Sequence, residues 1–302
     1  MNRIPKTEIS VSPVTLGTMT FGSPVAFDDA VKLTQYALLH GVNHIDTANM
    51  YEGYNRVAGS AGGVAEEIVG AAMCGMSRGK VIVSTKVGMK VGTEPEDEGT
   101  SAKAIAKQLD ASLKRLNTDY IDLYYLHRFD GNVAAEEILR AMQSAIFAGK
   151  IRHYGVSNYS AEQLRALLAA ADALHLPRPV VCQPPLSMLK QDALGELIPL
   201  CAAQDIAVIP YQIYQGGLLT GKYQRGMEPP KGSRAEEKPA WLASPDEALY
   251  DKLDAIAAGA KARGISMSAY ALRWTLEQPA VVSAIVGVKS ERQLDDAIAA
   301  VG

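Results

Sequence analysis

The chain has 302 residues, of which 48% are hydrophobic, and a formal net charge of −3 at pH 7. This length and composition allow one large core, so we expect a single domain over residues 1–302. Lysine and arginine are scattered along the sequence and build no positively charged surface for nucleic acid or an anionic membrane. Nucleic-acid and membrane binding are therefore not expected.

The amino terminus and the cysteines indicate the compartment. The first ten residues lack the apolar stretch of a secretory signal, and no segment reaches the ~20 apolar residues of a transmembrane helix. The three cysteines, Cys74, Cys182 and Cys201, form no C-x-x-C pair. Their odd number favours reduced, mostly buried thiols over disulfide bonds. We expect a cytoplasmic protein whose cysteines have no catalytic role.

Short β-rich segments alternate with longer helical segments throughout the chain. Eight segments have the composition of strands: residues 14–18, 42–46, 80–85, 120–126, 152–157, 180–183, 206–211 and 283–287. This alternation is typical of a parallel sheet with helical crossovers. Eight strands of this kind predict an α/β fold that closes into a (β/α)8 TIM barrel.

The segments between the strands carry apolar residues at three- and four-residue spacing, which predicts helices with one buried face. Residues 101–117 are an example, with Ala104, Leu109, Leu113 and Leu116 on that face. The other predicted helices are residues 28–40, 64–76, 134–148, 161–174, 193–204, 246–263, 266–277 and 291–300. This is one helix more than a minimal barrel needs.

Three connections are longer than ordinary turns. They are the glycine-rich residues 52–63, the acidic residues 90–100 and the long segment 216–242. Long loops in a compact domain are commonly functional, so we expect them to contribute to specificity.

Four residues follow or end three of the predicted strands: Asp46, Tyr51, Lys86 and His127. The carboxyl ends of barrel strands form the active face, so these side chains are expected to meet there. A phenol with a pKa near ~10 is a poor acid at neutral pH, and a neighbouring ammonium favours release of its proton. Asp46 would keep Lys86 charged, and His127 would hydrogen-bond an oxygen that gains negative charge. The set predicts a carbonyl-reducing site, although each residue alone has a structural interpretation as a cap or a surface charge.

Several ordered motifs extend this interpretation. GVNHIDTA precedes Tyr51, STK ends at Lys86, LYYLH ends at His127, GVSN ends at Asn158, and GGLLTGKY and GVKSERQL follow later in the chain. With them, the sequence resembles the aldo-keto reductase superfamily from residue 16 to its end, in particular the branch that includes potassium-channel β-subunits. The resemblance implies that Asp46, Tyr51, Lys86 and His127 form a catalytic tetrad with Tyr51 as general acid. It also implies direct hydride transfer from a nicotinamide ring, without a metal or a flavin.

The resemblance further implies which residues bind NADP(H). Amide and hydroxyl side chains near the nicotinamide suit its carboxamide, and an aromatic ring suits stacking on it. The residues assigned to the nicotinamide end are Thr18, Met19, Ser157, Asn158, Gln183, Tyr211 and Gln212. Those assigned to the pyrophosphate and adenine are Gly216, Leu218, Lys222, Ser233, Arg234, Gly287, Lys289, Gln293 and Asp296. Arg234 and Lys289 would hold a 2′-phosphate, which favours NADPH over NADH.

Two departures from the family pattern affect the cofactor site. Asp296 is followed by Ala297 where the branch usually has asparagine, so one adenine contact is expected to be absent. After Tyr211, the usual Ser-Pro-Leu is replaced by residues 212–214, Gln-Ile-Tyr, which is expected to change the pyrophosphate loop. Neither departure touches the tetrad.

We therefore expect NADPH-dependent reduction of a small-molecule carbonyl docked between Tyr51 and His127. Met19, Phe21 and Phe129 are candidate apolar walls of the pocket, together with the ring of Tyr51. Because the sequence ends directly after its last helix, we expect a wide, permissive pocket that residues 52–63 partly close.

Two alternatives stay open at this point. One is a nicotinamide-binding redox sensor or regulatory subunit with little turnover, and the other is a barrel isomerase or lyase with a Schiff base on Lys86. A Rossmann site is not supported, because no strand is followed by G-x-G-x-x-G. The histidines show no metal-ligand spacing, so no metal is expected, and His44 and His153 are interpreted as packed or capping residues within strands. The sequence leaves the oligomeric state open.

Overall fold

The computed structural model of the chain describes residues 1–242 and 246–302. Its central feature is a sheet of eight parallel strands in which chain neighbours are also sheet neighbours, while the last strand pairs with the first. A separate two-stranded hairpin precedes this sheet. In chain order the strands are β1 (Asn2–Arg3), β2 (Ser10–Val11), β3 (Val14–Gly17), β4 (His44–Asp46), β5 (Ile82–Val87), β6 (Ile121–Leu126), β7 (Ile151–Ser157), β8 (Val181–Gln183), β9 (Ala207–Val208) and β10 (Ala284–Gly287).

Hydrogen bonds between the β9 and β10 segments close the sheet into a barrel. Val208 accepts from Val282 N–H at 3.0 Å and donates to Ala280 O at 2.8 Å, and Ile285 N–H donates to Pro210 O at 2.9 Å. Strand β9 is shorter than the predicted 206–211 because Pro210 has no N–H for a ladder. The predicted (β/α)8 barrel is confirmed.

Ten helices are described. They are α1 (Phe27–Leu39), α2 (Val64–Ala72), α3 (Ala102–Leu116), α4 (Ala135–Phe147), α5 (Ala161–Ala173), α6 (Leu197–Ala203), α7 (Arg234–Glu237), α8 (Glu247–Ala262), α9 (Met267–Leu276) and α10 (Glu291–Ala299). Most agree with the prediction to within a residue at each end. Two are shorter, because α2 ends before Gly75, which has a φ of 78°, and residues 192–194 form a separate 3₁₀ turn before α6. None of the helices within the described ranges is long and apolar enough to span a membrane.

Two apolar layers hold the barrel together. The larger lies between the strands and the helices, and the smaller fills the barrel interior with Ile82, Leu123 and Val181 among its members. The β1–β2 hairpin contributes Ile4, Ile9 and Val11 to the inner layer. Asn43, directly before β4, binds the hairpin through Ser10 O and Ser12 N–H, at 2.8 and 2.7 Å. The hairpin thus covers the amino-terminal end of the barrel and leaves the carboxyl end available for a site.

The cysteines are free thiols, of which Cys182 and Cys201 are buried and Cys74 is exposed.

Candidate active site

Asp46 and Lys86 form a buried ion pair inside the carboxyl end of the barrel. Lys86 Nζ lies 2.6 Å from Asp46 Oδ2 and donates to the carbonyl oxygen of Thr47 at 2.7 Å. The other carboxylate oxygen, Oδ1, accepts from Ser84 Oγ at 2.7 Å and from Gln183 Nε2 at 3.0 Å. Burial lowers the pKa of Lys86, but Asp46 and Tyr51 raise it by more, so its pKa lies above the usual value. The ammonium therefore keeps its charge at neutral pH.

Tyr51 lies beside this pair, in the loop that follows β4. Lys86 Nζ is 3.5 Å from the Tyr51 hydroxyl and 4.9 Å from the centre of its ring. Burial raises the pKa of Tyr51, Lys86 lowers it and Asp46 raises it, with a net result above the usual value. Lys86 acts in the expected direction, but burial has the larger effect. The phenol therefore holds its proton at neutral pH and releases it only to a strong base.

His127 forms the other wall of the site. Its backbone N–H donates to Val87 O at 2.8 Å, and its ring meets that of Tyr51 edge-on at 6.1 Å between centroids. Its Nδ1 is buried without a hydrogen-bond partner among the described residues. Burial, followed by the charges of Lys86 and Arg128, holds the pKa of His127 well below 6.5. The imidazole is therefore neutral at pH 7 and can donate one hydrogen bond without carrying charge.

The structure brings the four predicted residues together, and it adds Ser84 and the Thr47 carbonyl oxygen to the set. Alternate residues of a strand face the same side, so the inward direction of Lys86 places Ser84 in the barrel as well. This alternation along the strand is the sequence pattern that indicates Ser84 as a residue of the site. No sequence signal marks the Thr47 carbonyl, because its position depends on the path of the chain after β4.

The residues assigned to the nicotinamide end are connected at the rim of the same opening. Asn158 Nδ2 donates to His127 O at 2.8 Å, and Tyr211 Oη donates to Asn158 Oδ1 at 2.6 Å. Ser157 Oγ donates to Gln183 O at 2.9 Å. Asn158 has a φ of 57°, in the left-handed region that asparagine tolerates better than most residues. These side chains lie near the tetrad and present both donors and acceptors.

Three further nicotinamide-end residues are placed differently. Thr18 is buried, and its hydroxyl donates to the Asp46 carbonyl oxygen at 3.0 Å, so it links β3 to β4. Gln212 is exposed with a φ of 59°. Met19 is half-buried. The expectation that Phe21 lines the pocket is wrong, because its side chain is fully buried in the outer apolar layer.

A cluster of cations lies on the other side of the opening, around Tyr54. The charged groups of Lys289, Arg234 and Lys238 are 5.3, 5.7 and 5.9 Å from the centre of the Tyr54 ring. Burial, and then the charges of Lys289 and Arg234, lower the pKa of Lys222. Like charges held this close favour binding of an anion. The sequence motifs did not indicate Tyr54 or Lys238 as residues of the site.

The surroundings of this cation cluster fit a phosphate-bearing cofactor. The Tyr54 hydroxyl is buried and has no hydrogen-bond partner in residues 1–242 and 246–302, which is uncommon for a buried polar group. A Cβ added to Gly217 would come within 2.4 Å of Lys222 Cε, so only glycine lets this lysine lie against the turn. Glu237, bonded to Lys289, partly offsets the positive charge.

Gln293 and Ser233, two further predicted cofactor residues, adjoin cations of this cluster. Lys289 N–H donates to Gln293 Oε1 at 2.8 Å, and Ser233 Oγ accepts from Glu236 N–H at 3.4 Å as the cap of α7. Leu218 is buried in an apolar cluster with α8 and α9, so only its backbone faces the turn. Three others are partly or fully exposed: Gly216, Gly287 and Asp296.

Comparison with known proteins identifies the family. The model of the aldo/keto reductase family matches residues 13–302. The chain belongs to this family and is an NAD(P)-dependent oxidoreductase, as the sequence resemblance predicted.

Individual relatives support the branch that the motifs indicated. A probable voltage-gated potassium channel subunit beta from Arabidopsis thaliana is 34% identical over 98% of this chain and 89% of its own length. L-glyceraldehyde 3-phosphate reductase from Escherichia coli O157:H7 is 31% identical over 93% of this chain and 81% of its own. The solved structure of a glycerol dehydrogenase from Gluconobacter oxydans has a TM-score of 0.81 and 30% identity, and the alignment covers all of this chain and 90% of that one.

Proposed function

We propose that the protein reduces aldehydes and ketones to alcohols with NADPH, and that Tyr51 supplies the proton. The observation that carries this proposal is the contact of Tyr51 with Lys86, which is itself bonded to Asp46. A general acid must be protonated before the reaction and must lose its proton easily during it. Burial meets the first requirement, and the ammonium of Lys86 meets the second by stabilising the phenolate that forms.

The substrate carbonyl would bind between Tyr51 and His127. Neutral His127 donates a hydrogen bond to the carbonyl oxygen, and Tyr51 transfers its proton to that oxygen as negative charge develops there. The chemistry supplied by bound NADPH is delivery of a hydride to the carbonyl carbon. Asn158, Tyr211 and Gln183 would hold its nicotinamide, since they form the polar rim next to Tyr51.

The preference for NADPH rests on the cations around Tyr54. Lys222, Arg234, Lys238 and Lys289 outnumber the neighbouring carboxylates of Glu236 and Glu237, so the cluster keeps a net positive charge suited to a 2′-phosphate. We expect Lys289→Met to weaken NADPH binding more than NADH binding. Equal weakening of both would assign the 2′-phosphate to another group.

The alternatives have less support. A Schiff base needs a neutral amine, but the Lys86 ammonium is held in the charged state by Asp46. A sensor without turnover would not need a proton donor beside the nicotinamide site. The names of two relatives point instead to small hydroxylated substrates, and we propose glyceraldehyde and related hydroxyaldehydes as the first to test.

Consumption of NADPH with a panel of hydroxyaldehydes, aromatic aldehydes and ketones tests the proposal. We expect turnover with aldehydes and a lower kcat/KM with NADH. NADPH binding without turnover of any carbonyl compound would favour the sensor. Borohydride trapping of a substrate on Lys86 would favour the Schiff-base reaction.

A further inference from the structure

A chain of buried polar side chains leads from Asp46 into the barrel, away from the open end. Ser84 Oγ lies 2.7 Å from Asp46 Oδ1, and His44 Nε2 lies 3.0 Å from the same Oγ. On the other side of the imidazole, Nδ1 lies 2.8 Å from Thr15 Oγ1, which lies 2.6 Å from Ser283 Oγ. All five side chains are buried. The reaction proposed above uses only the first of them.

The number of hydrogens restricts how this chain can be bonded. Each hydroxyl has one hydrogen, and a neutral imidazole has one N–H, so the donors point either towards Asp46 or away from it. In the first arrangement, His44 Nε2–H donates to Ser84 and Nδ1 accepts from Thr15. In the second arrangement, Ser84 donates to His44 Nε2, Nδ1–H donates to Thr15, and Thr15 donates to Ser283. The Ser283 hydroxyl then donates to the carbonyl oxygen of Pro13 at 3.2 Å.

The two arrangements differ in the bond that is lost. When the donors point towards Asp46, the 3.2 Å contact of Ser283 with the neutral Pro13 carbonyl oxygen is weakened. When they point away, the 2.7 Å bond from Ser84 to the Asp46 carboxylate is lost. Hydrogen bonds to charged acceptors are the stronger ones, so the first arrangement is favoured. We propose that His44 is a positioning residue whose Nε2–H tautomer directs the Ser84 hydroxyl onto Asp46.

His44 is suited to this role because it is neutral. Burial lowers its pKa to about 4, with Asp46 raising it and Lys86 lowering it. These two are the charged groups that act on the ring. At neutral pH, the imidazole therefore carries one donor and one acceptor, and it transmits the direction of the hydrogen bonds without adding a charge to the site.

The consequence for catalysis rests on the proposed role of Tyr51. The negative charge of Asp46 raises the pKa of Tyr51. Donation from Ser84 stabilises that charge on the carboxylate and so weakens its effect on the phenol. Loss of the donation should make Tyr51 a weaker acid, although His44 touches neither Tyr51 nor the substrate.

The tautomer can be observed directly in the intact protein. Long-range ¹H–¹⁵N spectra of ¹⁵N-histidine-labelled protein distinguish protonated from unprotonated ring nitrogens, and the spectrum of a His44→Gln variant assigns the signal. We expect His44 to be neutral at pH 7 with the proton on Nε2. A proton on Nδ1, or an imidazolium, would overturn the proposal. This readout uses neither cofactor nor substrate, so it remains decisive if no carbonyl compound is reduced.

Two variants separate positioning from packing. The side-chain amide of glutamine can occupy the position of Nε2 of the imidazole. The shorter side chain of asparagine places its amide only at the position of Nδ1. We expect His44→Asn to lower kcat for aldehyde reduction about threefold to tenfold and to shift the alkaline decline of kcat to higher pH. We expect His44→Gln to keep most of the wild-type kcat and to leave the pH of the alkaline decline almost unchanged. The control is Thr34→Val, which removes another buried hydroxyl that donates only within α1, to Ala30 O. Equal losses in the two His44 variants, or an unshifted alkaline decline in His44→Asn, would contradict the proposal.

Discussion

Lys86 is fully buried, and its hydrogen bonds explain why a charge is tolerated there. Its ammonium bonds to a carboxylate, a carbonyl oxygen and a phenol, so each of its three hydrogens has an acceptor. A buried pair of this kind is costly to break from one side, because the remaining charge is left without a partner. The pair therefore positions Tyr51 and also affects the stability of the barrel.

Removal of one or both charges distinguishes these two roles. We expect Lys86→Met to lower the free energy of unfolding by about 3–5 kcal/mol, because Asp46 is left buried and unpaired. In the double variant Lys86→Met/Asp46→Asn, most of that stability should return while aldehyde reduction stays absent. Urea denaturation and NADPH consumption measure the two effects. If the double variant is as unstable as the single one, the unpaired charge is not the cause.

The Tyr51 hydroxyl is expected to matter for the proton and little for binding. We expect Tyr51→Phe to lower kcat by at least about 10²-fold, the scale for losing a general acid, with an unchanged Kd for NADPH. Tyr120→Phe, directly before β6 at the amino-terminal end of the barrel, serves as a control for loss of a phenol. Normal turnover in the Tyr51 variant would assign the proton to another group.

The tetrad could be predicted from the sequence because each member lies at or just after the end of a strand, and strand ends are easy to find. Its supporting residues could not be found in this way. His44 was interpreted as packed, and its bonds to Ser84 and Thr15 depend on the register of three neighbouring strands. The alternation within one strand indicates which residues share a face, but which residues of two neighbouring strands lie opposite each other is established by their pairing in the folded sheet.

Two of the long loops meet across the barrel opening. Tyr54, in residues 52–63, packs edge-on against Trp241, in residues 216–242, with 5.4 Å between ring centroids. Lys238 lies near both rings, 5.9 and 5.5 Å from their centres. Aromatic pairs of this geometry contribute about 0.5–1.5 kcal/mol beyond the area they bury. The contact therefore joins the loop after Tyr51 to the predicted cofactor loop.

We expect this contact to slow the exchange of the cofactor. Trp241→Ala should increase the dissociation rate of NADPH about twofold to tenfold, because the lost interaction is about 0.5–1.5 kcal/mol. Stopped-flow fluorescence of NADPH release measures the rate, and Phe147→Ala provides a control at another exposed aromatic residue. An unchanged rate would mean that the two loops separate independently of this pair.

The sequence predicted some helices and strands and missed others, and the length of each element explains the difference. The strand β6 lies between the long helices α3 and α4 and is a largely apolar run, so its position was evident. The hairpin of β1 and β2 has only two residues in each strand, too few for a periodic pattern. The same holds for α7, a single turn within residues 216–242 that begins at its cap Ser233.

The two ends of the barrel are built differently. The hairpin closes one end with apolar side chains, and the polar site occupies the other. The chain from Ser283 to Asp46 crosses the interior between them. The barrel interior therefore combines an apolar filling with one continuous polar path, and the cost of burying that path is offset because its members bond to each other.

The pH dependence of reduction follows from the same site. Both His127 and His44 are neutral well below pH 7, so neither changes charge near neutrality. The raised pKa of Tyr51 delays loss of its proton to alkaline pH. We expect kcat for aldehyde reduction to be flat from about pH 6 to about pH 9 and to fall only at more alkaline pH. A step of activity near pH 6.5 would show that one of these histidines titrates in the reaction.

The buried histidine also links the stability of the whole barrel to pH. The pKa of His44 is lowered to about 4 in the folded protein, whereas an unfolded histidine titrates near ~6.5. Between these values the unfolded chain binds more protons, so the free energy of unfolding rises with pH and this contribution is complete above about pH 6.5. As the pH falls from about 6.5 towards 4, up to about 3 kcal/mol is lost through this group.

Comparison with His44→Gln isolates this effect, because glutamine does not titrate. Urea denaturation at pH 7 and at pH 5 should show a larger loss of stability in the wild type than in the variant, by about 2 kcal/mol. The carboxylates and His127 contribute equally to both proteins and cancel in the difference. Equal losses of stability in the wild type and the variant would mean that His44 has a similar proton affinity in the folded and unfolded states. The proposal that a neutral His44 directs the hydrogen bonds of the polar path would then be wrong.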